Sequence, residues 1–277
     1  MLRERLKVAI PLLAVVFLCF FLPGNWGRSA FALLAAVLLF GANHEGCQLC
    51  GFLPWKKEEL LLDAFALALI GNAWMQFFPG PVLLMAFLLL AFALYFGQEV
   101  TRKSLENTAK VILVGTLVCW ALSFMAQIFY QFGPTGPALL AFLVVVTKVA
   151  DIGAYAAGSA TAKLPGGNHK LCPFVSPKKS WEGLLGGIAA SVVVAELFVI
   201  FGHNSMMVGV LDLTWLNAVL LGFVAATVGL LGDLCESLLK RAAGAKDSGK
   251  IPGLGGVLDM VDSLLPMGAL LYAWLSC

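Results

Sequence analysis

The charged residues most able to do chemistry stand between two long apolar runs near the end of the sequence. Gly232-Asp233-Leu234-Cys235-Glu236-Ser237-Leu238-Leu239-Lys240-Arg241 is followed by Lys246-Asp247. Ile251-Pro252-Gly253-Leu254-Gly255-Gly256-Val257-Leu258-Asp259-Met260-Val261-Asp262-Ser263 comes next. Ionisable groups at a membrane edge cost free energy unless they pair, hydrate or bind something. If residues 214–243 form one helix, Asp233, Ser237 and Lys240 fall at i, i+4 and i+7 and share a face, with Arg241 one residue further round. Gly253-Leu254-Gly255-Gly256 opens the last apolar run. Backbone N–H groups there can approach an anion closely, and a helix N-terminus adds a favourable dipole. Asp259 and Asp262, at i and i+3, share a face of that helix. Carboxylates from two helix ends are hard oxygen donors suited to Mg²⁺, and Lys240, Arg241 and Lys246 suit phosphate oxygens. Together they could hold a nucleoside triphosphate. Asp233 and Asp259 read as metal ligands, with Asp262 as a further ligand or supporting partner. The alternative is a structural ion network pairing these acids with Lys240 and Arg241.

A second constellation lies upstream. Thr147-Lys148-Val149-Ala150-Asp151-Ile152-Gly153-Ala154-Tyr155 precedes Gly166-Gly167-Asn168-His169-Lys170-Leu171 and Ser176-Pro177-Lys178-Lys179-Ser180-Trp181-Glu182-Gly183. Lys148 and Asp151, at i and i+3, can neutralise each other. Lys178, Lys179 and Trp181 would serve as interfacial anchors, but Glu182 adds nothing to anchoring. Ser176-Pro177 reads as the start of a turn. A third feature, His44-Glu45-Gly46-Cys47-Gln48-Leu49-Cys50, has zinc-like spacing but no fourth ligand nearby. It reads as an ordinary inner loop.

The elements that must position these residues are membrane spans. Of 277 residues, 60% are hydrophobic and 12% charged, against roughly 25% charged in a soluble domain. A net charge of +2 is too small to suggest nucleic acid as a partner. Seven cysteines, mostly inside apolar runs, argue against a disulfide framework. Apolar runs occur near 8–22, 29–42, 60–79, 81–97, 111–132, 135–157, 183–202, 214–232 and 257–276. This predicts an all-α polytopic membrane protein of about nine transmembrane helices. A span needs about 20 residues, so 29–42 is short and could form a shallow hairpin with 8–22. The basic N-terminus and first run lack a small-residue cleavage site and read as a retained span.

Sidedness follows from Lys and Arg. With the N-terminus cytoplasmic and the C-terminus outside, the inner face receives Arg3, Arg5, Lys7, Lys56, Lys57, Arg102, Lys103, Lys110, Lys163, Lys170, Lys178, Lys179, Lys240, Arg241, Lys246 and Lys250. That is 16 of the 18 basic residues. The chain divides into N-terminal spans, 1–140, and a C-terminal catalytic region, 141–277, with cytoplasmic loops 158–182 and 233–256.

Ser237-Leu238-Leu239-Lys240-Arg241, Lys246-Asp247, Ile251-Pro252-Gly253, Gly255-Gly256, Asp259 and Asp262-Ser263 resemble the signature of the phosphatidate cytidylyltransferase (CDP-diacylglycerol synthase) family. Asp151-Ile152-Gly153-Ala154-Tyr155, Ser176-Pro177-Lys178-Lys179-Ser180-Trp181-Glu182-Gly183 and Gly232-Asp233-Leu234-Cys235-Glu236-Ser237 are similar to three further elements of that family, in the same order. The resemblance runs from about 147 to 265. It departs at Leu254, where the family usually has His, and at Met260, where it usually has Arg.

The resemblance implies that CTP and phosphatidic acid give CDP-diacylglycerol and pyrophosphate, with Mg²⁺ as cofactor and only a second cation left open. It implies catalytic roles for Asp233, Ser237, Lys240, Arg241 and Asp259. Substrate binding falls to Lys178, Lys179, Asp151, Lys246, Asp247, Gly255 and Gly256, and metal binding to Asp233, Asp259 and Asp262. A homodimer in a bacterial inner membrane, its active site facing the cytoplasm, completes the expectation. Three other readings stay open: a CTP-dependent kinase of a lipid alcohol, an ion-coupled anion transporter, and an inactive family member.

Overall fold

A backbone in hydrocarbon must satisfy its own N–H and C=O groups, so the apolar runs become helices. The computed structural model describes residues 19, 22, 24–202, 214–251 and 255–276. Its helices are α1 (Gly24–Leu49), α2 (Lys57–Met75), α3 (Gly80–Ala93), α4 (Arg102–Gln131), α5 (Gly136–Thr161), α6 (Trp181–Gly202), α7 (Trp215–Ala242), α8 (Val257–Val261) and α9 (Leu264–Ser276). Among the described residues, six helical stretches are long and apolar enough to cross a membrane: α1, α4, Gly133–Thr161, Trp181–Phe201, α7 and Val257–Ser276. The chain is a helical integral membrane protein. Of the expected first run, 8–22, only Cys19 and Leu22 are among the described residues.

Three expectations are corrected. The run at 29–42 is not short: α1 has 26 residues. Its polar end is satisfied by side chains, so the helix outlasts the apolar stretch. Asn43 Nδ2 donates to Asp63 Oδ1 at 3.0 Å, and the His44 ring meets Glu59 Oε1 at 2.7 Å. Residues 44–49 are therefore helical, not a loop, and the second His44 ring nitrogen contacts Gln48 at 2.6 Å. The turn expected at Ser176-Pro177 is instead strand: Lys170–Cys172 (β1) and Ser176–Ser180 (β2) pair as an antiparallel hairpin.

The fold has two compact units. One comprises the described residues up to Gln131 with Ala243–Met260; the other comprises Phe132–Ala242 and the residues from Val261 on. In the first, Phe31 stacks on Phe129 at 3.9 Å and Phe65 on Phe87 at 4.2 Å between ring centroids. In the second, α5 and α6 pack backbone to backbone. A side chain on Gly186 would strike Ala157, one on Gly153 would strike Ala190, and one on Gly187 would meet the Ala150 carbonyl oxygen at 2.9 Å. Small residues one turn apart give bare helix faces that can approach this closely. Ser191 Oγ then donates to the Gly222 carbonyl of α7 at 2.8 Å, tying α6 to α7.

Candidate active site

The second unit assembles most of the expected charged site residues: Asp151, Lys178, Lys179, Asp233, Lys240, Arg241 and Asp262. Helix α7 runs unbroken through the apolar stretch and on to Ala242, so Asp233, Glu236, Ser237 and Lys240 project from one element. Glu236, Ser237 and Lys240 are buried. Glu236 and Lys240, at i and i+4, form an ion pair. Asp233 pairs with Lys179 of β2. Strand alternation sends neighbouring side chains to opposite faces, so half-buried Lys179 turns to α7 while Lys178 is exposed. The hairpin is held on both sides. Glu182, in the first turn of α6, accepts the His169 N–H at 3.1 Å and contacts its ring at 2.6 Å. Arg241 Nε donates to the Val175 carbonyl at 3.4 Å.

The last span brings the third acid. Pro266 has no N–H to offer the carbonyl four residues back, at Asp262, and its ring clashes with a continuous helix there. The helix accordingly breaks at Asp262–Ser263, between α8 and α9. Asp262 Oδ1 accepts the Ser263 N–H at 2.6 Å. Gly232 makes room for this turn: a Cβ there would strike the Asp262 carbonyl oxygen and lie 2.9 Å from the Pro266 ring. Carboxylate oxygens of Asp233, Glu236 and Asp262 consequently all lie within 4.8 Å of one another.

Helix α5 supplies the rest. Lys148 Nζ donates to Ser263 Oγ at 2.8 Å and lies 3.4 Å from Asp151 Oδ2 and 3.8 Å from Asp262 Oδ1. Ser263 Oγ donates to Asp151 Oδ2 at 2.9 Å. Four carboxylates thus meet three lysines, an arrangement that keeps negative charge in excess. Trans oxygens around Mg²⁺ are about 4 Å apart, so the spread of the Asp233, Glu236 and Asp262 oxygens fits one divalent ion. Beside the network is a cavity of ≈ 570 Å³ lined by Asp151, Ala154, Tyr155 and Gly158 of α5, by Asn168, Lys170 and Ser176–Ser180 of the hairpin region, by Gly183, Leu184 and Gly187 of α6, and by Ala226, Leu230 and Asp233 of α7. The lysines of the hairpin and the apolar side chains of the helices together suit an amphiphile with an anionic head.

The remaining expected residues belong to the first unit. Lys246 and Asp247 are exposed. Asp259 Oδ2 accepts from both the backbone N–H and the hydroxyl of Ser248, each at 2.8 Å. The expected sharing of one helix face by Asp259 and Asp262 gives way to the break at Asp262–Ser263. Gly255 has φ +86°, and its N–H donates to the Ile251 carbonyl at 3.1 Å. Pro252, Gly253 and Leu254 lie outside the described residues. The backbone donors just beyond Gly256 are engaged by Glu45 of α1, which accepts from Val257 N and Leu258 N, both at 2.9 Å.

Sequence reasoning missed four participants: Glu236, Lys148 as a bridge rather than a local partner, Ser263, and Glu45. Glu236 carried a signal, standing three residues after Asp233 and four before Lys240. Glu45 carried none.

Comparison with known proteins bears on this site. The chain is 43% identical over 127 residues to the phosphatidate cytidylyltransferase of Haemophilus influenzae, covering 46% of this chain and 41% of that protein. It is 41% identical over 144 residues to that of Brucella suis, covering 50% and 47%. In these alignments the chain spans under half the length of the relatives. With the phosphatidate cytidylyltransferase of Mycobacterium bovis it shares 28% identity over 293 residues, 98% of this chain and 85% of that protein. The family model described as Cytidylyltransferase family matches residues 3–277, and the chain belongs to that family.

Proposed function

We propose that this protein transfers CMP from CTP to phosphatidic acid, giving CDP-diacylglycerol and pyrophosphate. One observation carries the reading: the carboxylates of Asp233, Glu236 and Asp262 converge beside a cavity edged by Lys170, Lys178 and Lys179. A phosphate oxygen of phosphatidate attacks the α-phosphorus of CTP. A new P–O–P bond forms, the α–β bond breaks, and pyrophosphate leaves. A phosphate monoester is largely ionised near neutral pH, so no dedicated base is required.

Both reactants are anionic, and the residues answer that problem. Lys178 and Lys179 hold phosphate oxygens at the cavity edge. Lys240 and Arg241 stand at the end of α7 to receive the charge of the departing pyrophosphate, with Lys246 and Asp247 on the following segment. Ser237 and Asp151 orient these groups, and Gly255 and Gly256 shape the segment carrying Asp259. Asp233, Glu236 and Asp262 would hold Mg²⁺, with Asp259 as a further acid. The bound ion would offset the triphosphate charge. The rest of the rate gain is positioning and electrostatics.

The same reading takes the chain as nine spans, counting α2, α3 and the run 8–22 beyond the six long apolar stretches. The N-terminus and the site face the cytoplasm of a bacterial inner membrane, and 141–277 bears the reaction. CTP then arrives from the aqueous side while phosphatidate keeps its tails in the inner leaflet. The bacterial relatives and the distribution of basic residues support this, and the family resemblance implies a homodimer. The test is an assay of purified protein with labelled CTP, Mg²⁺ and either phosphatidate or a lipid alcohol. Pyrophosphate release with phosphatidate alone is expected. Phosphorylation of the alcohol, or no turnover, would overturn the reading.

A further inference from the structure

Helix α1 contains an acidic residue that the proposed reaction does not use. Glu45 is 7% exposed. Its Oε1 accepts the Val257 N–H and its Oε2 the Leu258 N–H, both at 2.9 Å, and Ser248 Oγ stands 2.8 Å from Oε2. The same hydroxyl lies 2.8 Å from Asp259 Oδ2. A hydroxyl has one proton to donate. The Ser248 hydroxyl is therefore shared between two carboxylate acceptors, Glu45 Oε2 and Asp259 Oδ2. The glycines of this segment fit the same arrangement. A Cβ on Gly249 would strike the Glu45 carboxylate, and one on Gly256 would strike both that carboxylate and the Ser248 hydroxyl. Here the anion held close to the glycine-rich backbone is the protein's own.

We infer that Glu45 is a positioning residue: through Val257, Leu258 and Ser248 it fixes the segment around Ser248 and the orientation of Asp259. A buried carboxylate that accepts two backbone N–H groups at the start of a helix is a strong, directional tie. The segment it ties carries exposed Lys246, Asp247 and Lys250. Its kinetic consequence rests on the proposed cytidylyltransferase reading, in which Lys246 and Asp247 serve substrate binding; its structural consequence does not.

The experiment uses the full-length protein in lipid nanodiscs, as wild type, Glu45→Gln, Ser248→Ala and the double variant. Two quantities are read: trypsin cleavage after Lys246 and Lys250, and the separate KM values for CTP and phosphatidate. Glu45→Gln is expected to speed cleavage about tenfold, because cleavage of a segment tracks the population of its open form. KM for CTP should rise about tenfold with KM for phosphatidate within about twofold. Ser248→Ala should move both in the same direction, and the double variant should add less than the sum. Unchanged cleavage in both single variants would overturn the inference. So would faster cleavage with both KM values raised equally or neither raised, since Glu45 would then only stabilise the fold. If Glu45→Gln does not fold, Ser248→Ala decides on the same readouts. If wild type shows no CTP-dependent turnover, the functional reading fails and cleavage alone judges Glu45.

Discussion

Lys179 of the hairpin is ion-paired with Asp233 of α7, joining the motif Ser176-Pro177-Lys178-Lys179 to the motif Gly232-Asp233. Both groups are about three-quarters buried, with side-chain exposures of 27% and 20%. Without substrate, the pair spares each partner an uncompensated charge in a region of reduced dielectric. In the proposed reaction, Asp233 would instead help to hold the metal ion and Lys179 would serve a phosphate oxygen.

Lys179→Met removes the cation and leaves Asp233 unpaired. It is expected to lower kcat/KM about 100-fold or more, the scale seen when one preorganised charge-stabilising donor is lost. Lys178→Met, at the exposed neighbour, should cost about tenfold or less. Steady-state kinetics on the two variants checks the ordering. Equal losses would count against the face assignment of the strand.

The proposed metal site makes a second prediction. Chelation by EDTA should abolish turnover and added Mg²⁺ should restore it. Asp262→Asn and Glu236→Gln should each raise the Mg²⁺ concentration for half-maximal activity about 10–100-fold, as loss of a ligand or its support does. Calorimetric titration of the metal-free protein provides a readout independent of turnover. An unchanged Mg²⁺ requirement in both variants would remove these acids from the ligand set.

Much of the second unit was legible because helix arithmetic is local. Asp233, Ser237 and Lys240 are one or two turns apart on any helix, and α7 is long enough to display them. The α5–α6 contact was written in Gly153, Gly183, Gly186 and Gly187, though the sequence reading assigned them no packing role. The site's other half depends on where separate elements meet. No spacing rule brings Lys148 to Ser263 or Glu45 to Ser248, because those contacts are set by tertiary packing. The run 29–42 looked short because hydropathy counts Asn43, His44 and Glu45 as breaks. Partners on other elements satisfy these groups and let the helix continue. The break at Asp262–Ser263 was readable from Pro266, but the apolar run obscured it.

Asp259→Asn tests the acid of the first unit. The amide keeps the shape and an acceptor for the Ser248 N–H, so the protein should still be made and inserted in comparable amount. Turnover is expected to fall by at least about 100-fold if the negative charge is used in the reaction. Near-normal turnover would restrict Asp259 to holding the Ser248 segment.

The bare faces of α5 and α6 make a stability prediction. Gly186→Leu would drive a branched side chain into Ala157 and the Gly153 backbone. Overpacking of this kind costs about 1–3 kcal/mol, and here it would also shift the hairpin that follows α5. Thermal unfolding in detergent should show a lower Tm, with activity falling even at temperatures where the protein stays folded. Gly71→Leu is the control, since a Cβ there meets nothing within 4 Å. It should leave both properties near wild type.

Sidedness has its own test, because the proposed reaction needs the segment after α7 in the compartment that contains CTP. Lys246 is exposed, so a thiol placed there reports the side it faces. In a background whose seven native cysteines are replaced by Ala or Ser, Lys246→Cys should react with a membrane-impermeant maleimide in inside-out vesicles and resist it in intact cells. Hydropathy alone cannot distinguish the two orientations, but the basic residues can, since translocating Lys and Arg is disfavoured. Labelling from outside intact cells would invert the topology and place Asp233, Lys179 and their cavity away from CTP. The proposed reaction could not then proceed.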